Sequence, residues 1–290
     1  MSRALKRRGA HAVGASISVI VNTHERPRAL DAVLRALSEQ SDGAFDVVVA
    51  DDGSGPQTAA VVERWIHAFG DRLQHVWQPD RGFRLALVRN RGALAAHGSQ
   101  LVFLDGDAVP RSRFVQAMRA SLRPGWFVAG RRLELSRALT ERVLAERAPI
   151  HRRSLLEWLG HRREVSPLNV LTYRDRRRVG SSTPEFEPHG RAYGFLLGLA
   201  RSDFERANGY DTRFVGWGEE DVDLAVRLRR LGLRCGHAGP HATVLHLWHA
   251  PRDGRGRSNW RLLQETAANG RVEAQRGLAE LARVADASVA

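Results

Sequence analysis

The chain has 290 residues with 43% hydrophobic content, which is enough for one large α/β domain with a full core. It carries 45 Lys and Arg residues against 32 Asp and Glu residues, a formal net charge of +13, so its surface should attract an anionic partner. The single cysteine, Cys235, excludes an internal disulfide and indicates a reducing compartment. No apolar stretch approaches the roughly 18 residues that a membrane span requires.

Residues 1–15 are a predicted basic tail. The apolar run that follows leads straight into the motif NTHERP without a small-residue cleavage site, so a secretory signal is not predicted. From Ser16, buried strands alternate with amphipathic helices, which predicts an α/β fold with a parallel sheet. The predicted strands are SISVIVN, FDVVVADDGS, LQHVWQ and QLVFLDGDAVP. Their ends carry NTHERP, DDGS and DGD, and such a sheet would bring these polar clusters to one rim, where ligands bind.

The alternation loosens over residues 131–190, which are rich in arginine and predict a helical insertion on the acceptor or membrane side. The main domain is expected to span 16–258, followed by a helical tail over 259–290 that contains Leu262, Leu263, Leu278 and Leu281. Arginines of the insertion form a hypothetical docking surface for anionic lipid or an acidic glycan, against the alternative of a solvated basic surface. They are Arg152, Arg153, Arg162, Arg163 and Arg176 to Arg178.

Four carboxylates crowd the stretch WGEEDVD, before an apolar helical stripe that includes Leu224 and Leu228. Acidic residues commonly begin helices because the dipole favours anions there. Asp221, however, falls on the apolar stripe, and a carboxylate facing the packed side must be paired, metal-bound or used in chemistry. Glu219 and Asp223 fall on the face of Arg227, where pairing and solvent exposure are expected to explain them.

The tripeptide DGD, directly after the apolar run LVFL, places Asp105 and Asp107 at a strand end. Residues i and i+2 of a strand face the same way, so the two carboxylates are expected to converge on a hard metal such as Mg²⁺ or Mn²⁺. The alternative is an acidic turn after a buried strand. The motif HLWH supplies His246 and His249, either of which can complete such a site, although a single histidine is more often structural.

Two further motifs admit both a binding and a structural interpretation. Asp52 in DDGS either binds a base or ribose or makes an ordinary turn. Trp217, between Gly216 and Gly218, either stacks on a sugar from a mobile loop or anchors the core.

Taken in order, five motifs resemble the GT-A glycosyltransferases of the family 2 type. They are VIVNTHERP, VVVADDGSG, DRGFRLALVRNRG, LVFLDGDAVP and GYDTRFVGWGEEDVDLAVRL. The resemblance spans about Ser16 to His249 and is greatest for the branch with a galactosyltransferase-like C-terminal half, as in bacterial chondroitin polymerase. It implies a mixed, mostly parallel sheet that holds a UDP-sugar over the DxD motif.

The resemblance also implies a role for each matching residue. Thr23, Glu25 and Asp52 would contact uridine, while Arg84 and Arg89 would lie near the base or the diphosphate. Asp105 would bind ribose or the metal, and Asp107 would bind the metal. His246, with His249 as the substitute, would complete the metal site. Asp221 would be the general base, and Glu220 would hold the acceptor sugar.

The chain reads WGEED where relatives more often read WGGED, which leaves the register of the base and the acceptor ligand open.

The implied reaction is inverting transfer of a sugar from a UDP-sugar to a hydroxyl of a cell-surface glycan or glycolipid, with Mn²⁺ or Mg²⁺ as cofactor. A nucleotidyltransferase of related topology is one alternative, although NTHERP has no glycine for a phosphate loop. A catalytically inactive sugar-binding relative is another. Nucleic acid is not the expected partner, because aromatic content is 7% and the rim is acidic. The expected location is cytoplasmic, with peripheral contact at the inner membrane face.

Overall fold

The computed structural model describes residues 16–154, 157–158, 194–250 and 257–287. The predicted basic tail lies outside the described residues, and so does most of the Arg-rich stretch, including Arg162, Arg163 and Arg176 to Arg178. Within the described part of the chain, none of the helices has both the length and the apolar character needed to cross a bilayer.

Ten strands and nine helices are described, apart from short 3-10 turns. The strands are β1 Ile17–Thr23, β2 Phe45–Asp51, β3 Leu73–Trp77, β4 Gln100–Asp105, β5 Ala108–Pro110, β6 Trp126–Ala129, β7 Arg132–Glu134, β8 Leu196–Ala200, β9 Arg234–His237 and β10 Val244–His246. The helices are α1 Pro27–Ser38, α2 Pro56–Phe69, α3 Leu85–Ala95, α4 Phe114–Ser121, α5 Arg137–Glu146, α6 Arg201–Arg206, α7 Glu220–Arg230, α8 Arg257–Asn269 and α9 Leu278–Ala287.

A seven-stranded sheet in the order β3-β2-β1-β4-β8-β6-β9 forms the centre of the fold. Strand β8 runs antiparallel to both of its neighbours, and the other described pairings of this sheet are parallel. Both faces of the sheet are covered, which suits the continuous apolar runs of its strands. The predicted mixed, mostly parallel sheet flanked by helices is confirmed.

Alternate residues of each strand enter two separate cores, as the period of two in a strand requires. Val19 and Val21 of β1 pack with α1 on one face. Ile20 and Phe103 pack on the other face with Tyr210 and with apolar residues of α3 and α7. The sheet therefore fixes the start of α7, which carries the acidic stretch, relative to the end of β4.

A second, three-stranded sheet in the order β5-β10-β7 lies beside the main sheet. This sheet forms because the strand predicted through DGD is interrupted by a turn. A turn at Gly106 and Asp107 separates β4 from β5, so Asp105 and Asp107 are not alternate residues of one strand. Strand β10 pairs antiparallel with β5 and parallel with β7. The strand argument for the convergence of the two carboxylates is therefore wrong: Asp105 ends the large sheet, and Asp107 lies in the turn that leads into β5. A shared metal stays a prediction.

The segment predicted as an insertion begins inside this small sheet, since β7 is one of its strands. The bounds predicted for the insertion stay a prediction, since most of residues 131–190 beyond 154 lies outside the described part of the chain. The two described arginines of the hypothetical docking surface have partners within the chain: Arg152 pairs with Glu39 at 2.7 Å, and Arg153 lies over the Trp158 ring at 5.3 Å.

The predicted single tail helix is instead two helices, α8 and α9, interrupted at Gly270 with a φ of +69°. Arg230 of α7 donates hydrogen bonds to the carbonyls of Thr266, Ala267 and Arg271. These carbonyls at the end of α8 lack helical partners, so a guanidinium is a suitable cap. The tail is thus attached to the helix that carries the acidic stretch.

The expected solvent exposure of Asp223 is wrong. Asp223 is 0% exposed and Arg227 is 1% exposed, and their side chains pair at 2.7 Å. Arg227 also donates to the carbonyls of Ala207 and Gly209, at 2.6 and 2.9 Å. The i, i+4 pairing was correctly predicted, but α6 and the loop after it cover this face of α7. The pair is a buried structural connection.

Replacement of Asp223 by Asn should therefore destabilise the protein, because it leaves the Arg227 cation buried without its counter-ion. Loss of one partner of a buried pair costs about 3 to 5 kcal/mol. Urea unfolding at neutral pH measures this loss. The matched control is Glu141→Gln at the exposed Arg137–Glu141 pair, where about 0 to 1 kcal/mol is expected. Equal stability of the two variants would contradict the prediction.

Candidate active site

The carboxyl ends of three parallel strands bring the predicted donor-binding motifs to one rim of the large sheet. Strand register places Thr23 opposite Asp51 and Asn22 opposite Asp105. Ligands of open α/β sheets bind beyond this edge. The motifs NTHERP, DDGS and DGD meet there, as expected from the strand order.

Glu25 and Asp52 connect the loops of this rim. The Glu25 carboxylate accepts a hydrogen bond from the backbone N–H of Gly55 at 2.7 Å. Asp52 is buried, and its two oxygens accept from the side-chain amide of Gln78 at 2.5 Å and from the backbone N–H of Arg84 at 2.7 Å. The Asp52 carboxylate therefore links the ends of β2 and β3 to the start of α3. Its contact with a nucleoside stays a prediction.

Thr23 offers a buried polar group beside the turn that follows β4. Its side chain is among the buried ones, and Oγ1 has no hydrogen-bond partner among the described residues. A Cβ atom added at Gly106 would lie 2.6 Å from the carbonyl oxygen of Asn22 and 3.4 Å from Oγ1 of Thr23, so this turn requires glycine. An unpaired buried hydroxyl is unfavourable, and a polar ligand atom at the rim would satisfy it.

Asp107, His246 and His249 form a compact cluster at the edge of the small sheet. One ligand atom from each lies within 4.8 Å of the others. Nε2 of His246 is 3.5 Å from one oxygen of Asp107, and Nε2 of His249 is 3.7 Å from the other. Both histidines are therefore present, where the sequence suggested one with the other as its substitute. Asp105 is not a member of the cluster.

The chemistry of this cluster fits a divalent cation. Oδ1 of Asp107 is buried and receives no hydrogen bond from the described residues. Arg26 contacts the other oxygen of Asp107, so a positive group already neutralises this carboxylate in part. One carboxylate and two imidazoles form a ligand set that several first-row divalent metals accept. The set is incomplete for six-coordination, which leaves room for substrate oxygens.

Arg89 lies at the centre of the second charged cluster. Its side chain is 1% exposed. The guanidinium donates to Asp105 at 2.9 Å, to Glu220 at 3.3 Å and to the carbonyl of Gly194 at 2.6 Å, and Nε donates to Asn22 at 3.2 Å. All three of its nitrogens are occupied. Arg89 thus joins β4 to α7, and its expected position near a base or diphosphate stays a prediction. The Arg84 side chain is instead partly exposed and contacts the carbonyl of Pro79.

Asp221 lies in the first turn of α7, half-buried. Its carboxylate accepts from the backbone N–H of Gly194 and from that of Val222 at 2.9 Å. A Cβ atom at Gly194 would lie 2.7 Å from an oxygen of Asp221, so the close approach requires glycine. Burial raises the pKa of the Asp221 carboxyl, although Arg89 and the two backbone donors favour its ionised form. Such a carboxyl group is suited to accept a proton.

Glu220 points into the Arg89 cluster. Burial, together with the negative charge of Asp221, raises the pKa of Glu220 to about 7. The pKa of Tyr210 is also raised, first by burial, and the Arg89 guanidinium lies 5.3 Å from the centre of the Tyr210 ring. A buried group in a cleft with a strongly shifted pKa is a functional-site candidate.

Trp217 lies on the loop before α7, with its side chain 43% exposed, so the core-anchor alternative is not what the structure shows. The loop is attached at both ends: the N–H of Gly216 donates to the carbonyl of Phe83, and the Asn259 side chain donates to the carbonyl of Gly218, both at 2.9 Å. Glu219 follows with a left-handed φ of +74°, a conformation that favours glycine. Glu219 therefore stands where WGGED relatives have their second glycine. Glu220 and Asp221 then correspond to the Glu and Asp of that motif.

Two charged residues of the site were not identified from the sequence. Arg26 contacts Asp107, and its position beside Glu25 in NTHERP was a signal that could have been used. Glu134 lies 2.8 Å from Nδ1 of His246, and no sequence pattern indicates the pairing of β7 with β10 that brings them together.

Solved structures share this architecture. The mannosyltransferase PcManGT from Pyrobaculum calidifontis, in complex with GDP-Man and Mn²⁺, superposes with a TM-score of 0.54 over 86% of this chain and 60% of its own, at 22% identity. S. aureus TarS 1-349 in complex with UDP gives a TM-score of 0.60 over 91% of this chain and 68% of its own, at 14% identity. These likenesses show that the fold is of the GT-A-like class.

The family model described as glycosyl transferase family 2 matches residues 18–194, and the model described as the N-terminal domain of galactosyltransferase matches residues 176–249. The chain belongs to glycosyl transferase family 2. The resemblance inferred from the motifs is confirmed in both halves, and the nucleotidyltransferase alternative is set aside.

Curated relatives agree with this assignment. Validoxylamine A glucosyltransferase of Streptomyces hygroscopicus subsp. jinggangensis is 30% identical over 226 residues, which cover 75% of this chain and 52% of that protein. Chondroitin synthase of Pasteurella multocida is 25% identical over 73% of this chain and 23% of its own. The chain thus spans about half the length of the former relative and less of the latter.

The raised pKa of Glu220 predicts a pH dependence of stability. Between pH 4.5 and about 7, Glu220 is protonated in the folded protein and ionised in the unfolded chain. The contribution of Glu220 to the free energy of unfolding therefore falls as the pH rises through that window. The stability of wild type relative to Glu220→Gln should drop by up to about 3 kcal/mol across it. Denaturant unfolding of metal-free protein at several pH values measures this, and parallel curves would contradict the assignment.

Proposed function

We propose that this protein transfers a sugar, with inversion, from a UDP-sugar to a hydroxyl of a glycan or glycolipid acceptor, with Mn²⁺ or Mg²⁺ as cofactor. The observation that carries the proposal is a pair of charged clusters joined through the turn at Gly106: Asp107 with two histidines on one side, and Asp105, Arg89 and Glu220, followed by Asp221, on the other. Family 2 membership and the nucleotide-bound structural neighbours support it.

On this proposal the donor nucleoside lies along the ends of β1 and β2. The unpaired Oγ1 of Thr23 and the carboxylate of Asp52 offer a hydroxyl and an acceptor for uracil or ribose, and Glu25 orders the loop beside them. Arg84 is the partly exposed cation at the start of α3, near the base or the diphosphate. Asp105, fixed by Arg89, faces the ribose.

Asp107, His246 and His249 are the residues proposed to hold the metal, which when bound would neutralise the negative charge of the diphosphate as it departs. Arg26 is a neighbouring cation that can turn from Asp107 to the phosphates. Because GDP-Man is the donor bound to one structural neighbour and UDP is bound to another, the base is the least constrained part of the proposal.

Asp221 is the proposed general base, which takes the proton from the acceptor hydroxyl as that oxygen attacks the anomeric carbon. The raised pKa of Asp221 favours this proton transfer. Glu220 holds the acceptor sugar by a hydroxyl contact, and the exposed ring of Trp217 offers an apolar face for the sugar to stack on. One displacement inverts the anomeric centre, so an α-linked donor gives a β-linked product.

The direct test screens the purified chain against UDP-, GDP- and TDP-sugars, with Mn²⁺ or with EDTA, and measures release of the nucleoside diphosphate. We expect metal-dependent release of UDP from one donor, with NMR of the product showing a β linkage. Binding of a UDP-sugar without turnover under any condition would favour the inactive sugar-binding alternative. A product that retains the α configuration would overturn the single-displacement mechanism.

Replacement of Asp221 by Asn should leave donor affinity close to normal and reduce transfer by roughly 10² to 10⁴, the usual contribution of general base catalysis. Donor binding by calorimetry and turnover at saturating substrates measure the two effects. The same substitution at the exposed Asp71 is the control and should behave as wild type. A fully active Asp221→Asn enzyme would remove the base from the mechanism.

Asp107→Asn and His246→Ala should each abolish metal-dependent activity and weaken Mn²⁺ binding, because each removes a proposed ligand of a three-residue set. His249→Ala should weaken it as well, since His249 is within reach of Asp107. Calorimetry with Mn²⁺ on metal-free protein measures all three. Normal affinity in His246→Ala together with a loss in His249→Ala would transfer the main role to His249.

A further inference from the structure

Glu134 lies against the side of His246 that faces away from Asp107. The two residues are direct partners in the register of β7 with β10, and Oε2 of Glu134 is 2.8 Å from Nδ1 of His246, a charged contact at ion-pair distance whose angle falls outside the range of a hydrogen bond. Nε2 of the same ring is 3.5 Å from Asp107. The imidazole is therefore placed between two carboxylates, one at each nitrogen.

A neutral imidazole has one nitrogen that carries a proton and one with a free lone pair, and only the latter can bind a metal. Each nitrogen has a carboxylate neighbour, but Glu134 at 2.8 Å is closer to Nδ1 than Asp107 at 3.5 Å is to Nε2, so the proton is favoured on Nδ1. Nε2 is then left with its lone pair toward Asp107 and His249. A carboxylate that accepts from the second nitrogen of a metal-binding histidine fixes its tautomer and ring orientation.

Glu134 is itself held in place from the opposite side. Nε of Arg132 lies 2.5 Å from Oε1 of Glu134, so each carboxylate oxygen has a different partner. The Arg132 guanidinium in turn lies 4.9 Å from the centre of the Phe195 ring. This series of contacts restricts a carboxylate that would otherwise rotate freely at the edge of the small sheet.

We infer that Glu134 is a positioning residue that sets the tautomer and orientation of His246 and thereby strengthens the binding of a divalent cation at Asp107, His246 and His249. The inference rests on the metal site of the proposed function. It assigns to β7 a part in the site that neither the motifs nor the family matches assign.

Calorimetry with Mn²⁺ on the metal-free, full-length chain tests the inference. Loss of a carboxylate that supports a metal-binding histidine weakens metal affinity by about 10- to 100-fold, and we expect this for Glu134→Ala. Glu134→Gln should fall between Glu134→Ala and wild type, because its amide oxygen keeps a partial negative charge beside Nδ1 without the full charge of the carboxylate. Glu141→Gln, at an exposed carboxylate on α5, should bind as wild type does.

The variant Arg132→Met distinguishes two possible roles of Glu134: positioning His246, and neutralising the charge of Arg132. This variant keeps the contact between Glu134 and His246 and removes the ion pair with Arg132. It should bind Mn²⁺ more tightly than Glu134→Ala does. Equal losses in Arg132→Met and Glu134→Ala would overturn the inference.

The tautomer of His246 in the metal-free wild-type protein gives a readout that does not depend on activity. NMR of ¹⁵N-histidine-labelled wild type, with His246 assigned by comparison with His246→Ala, should show the proton on Nδ1. A proton on Nε2 would overturn the inference.

The metal titrations separate this inference from the proposed function. If wild type binds Mn²⁺ in a manner that depends on Asp107 and Glu134→Ala binds equally well, the inference alone fails. If wild type binds no Mn²⁺, or if Asp107→Asn binds it normally, the metal site fails and the inference fails with it.

Discussion

The buried guanidinium of Arg89 is the interaction on which the rest of the site depends. It binds Asp105 at the end of β4 and Glu220 at the start of α7, together with the carbonyl of Gly194, which precedes β8. Without this cation, the carboxylates of Asp105, Glu220 and Asp221 would face one another in a region of low dielectric constant, where repulsion is strong. The position of the acidic helix relative to the end of β4 is therefore set by one side chain of α3.

Arg89 compensates the negative charges of Glu220 and Asp221 only in part, and this changes the pKa of both groups. Although Arg89 favours the ionised forms of Glu220 and Asp221, burial raises the pKa of both groups. Protein stability alone would favour an apolar side chain or a fully paired carboxylate here. The contrast with Asp223 supports this interpretation, since its buried carboxylate two residues later is matched by Arg227. The acidic stretch thus contains one carboxylate that stabilises the fold and two that are available for chemistry.

Local sequence patterns were sufficient for the parallel half of the fold but not for contacts between distant segments. Strands β1, β2 and β4 have continuous apolar runs, and α1 and α2 have clear helical periods, so these elements were predictable. Helical phase also placed Asp223 beside Arg227. It did not reveal that Ala207 and Gly209 cover this face of α7. The periodicity of one helix does not show which other segments pack against it. The break at Gly106 and Asp107 was missed for a similar reason: β5 is defined by its pairing with β10.

The small sheet shows why the cation cluster itself was only partly predictable. Its three strands, three residues each, come from separate parts of the chain and place Asp107, Glu134 and His246 side by side. Strands this short form few ladder hydrogen bonds.

A cation that binds the assembled ligands and not the unfolded chain would stabilise this sheet by mass action. Since β5 directly follows the turn after Asp105, such a cation would also hold the end of β4 against the rest of the rim. Metal binding and donor-site geometry are thus expected to be coupled through one short turn, Gly106–Asp107.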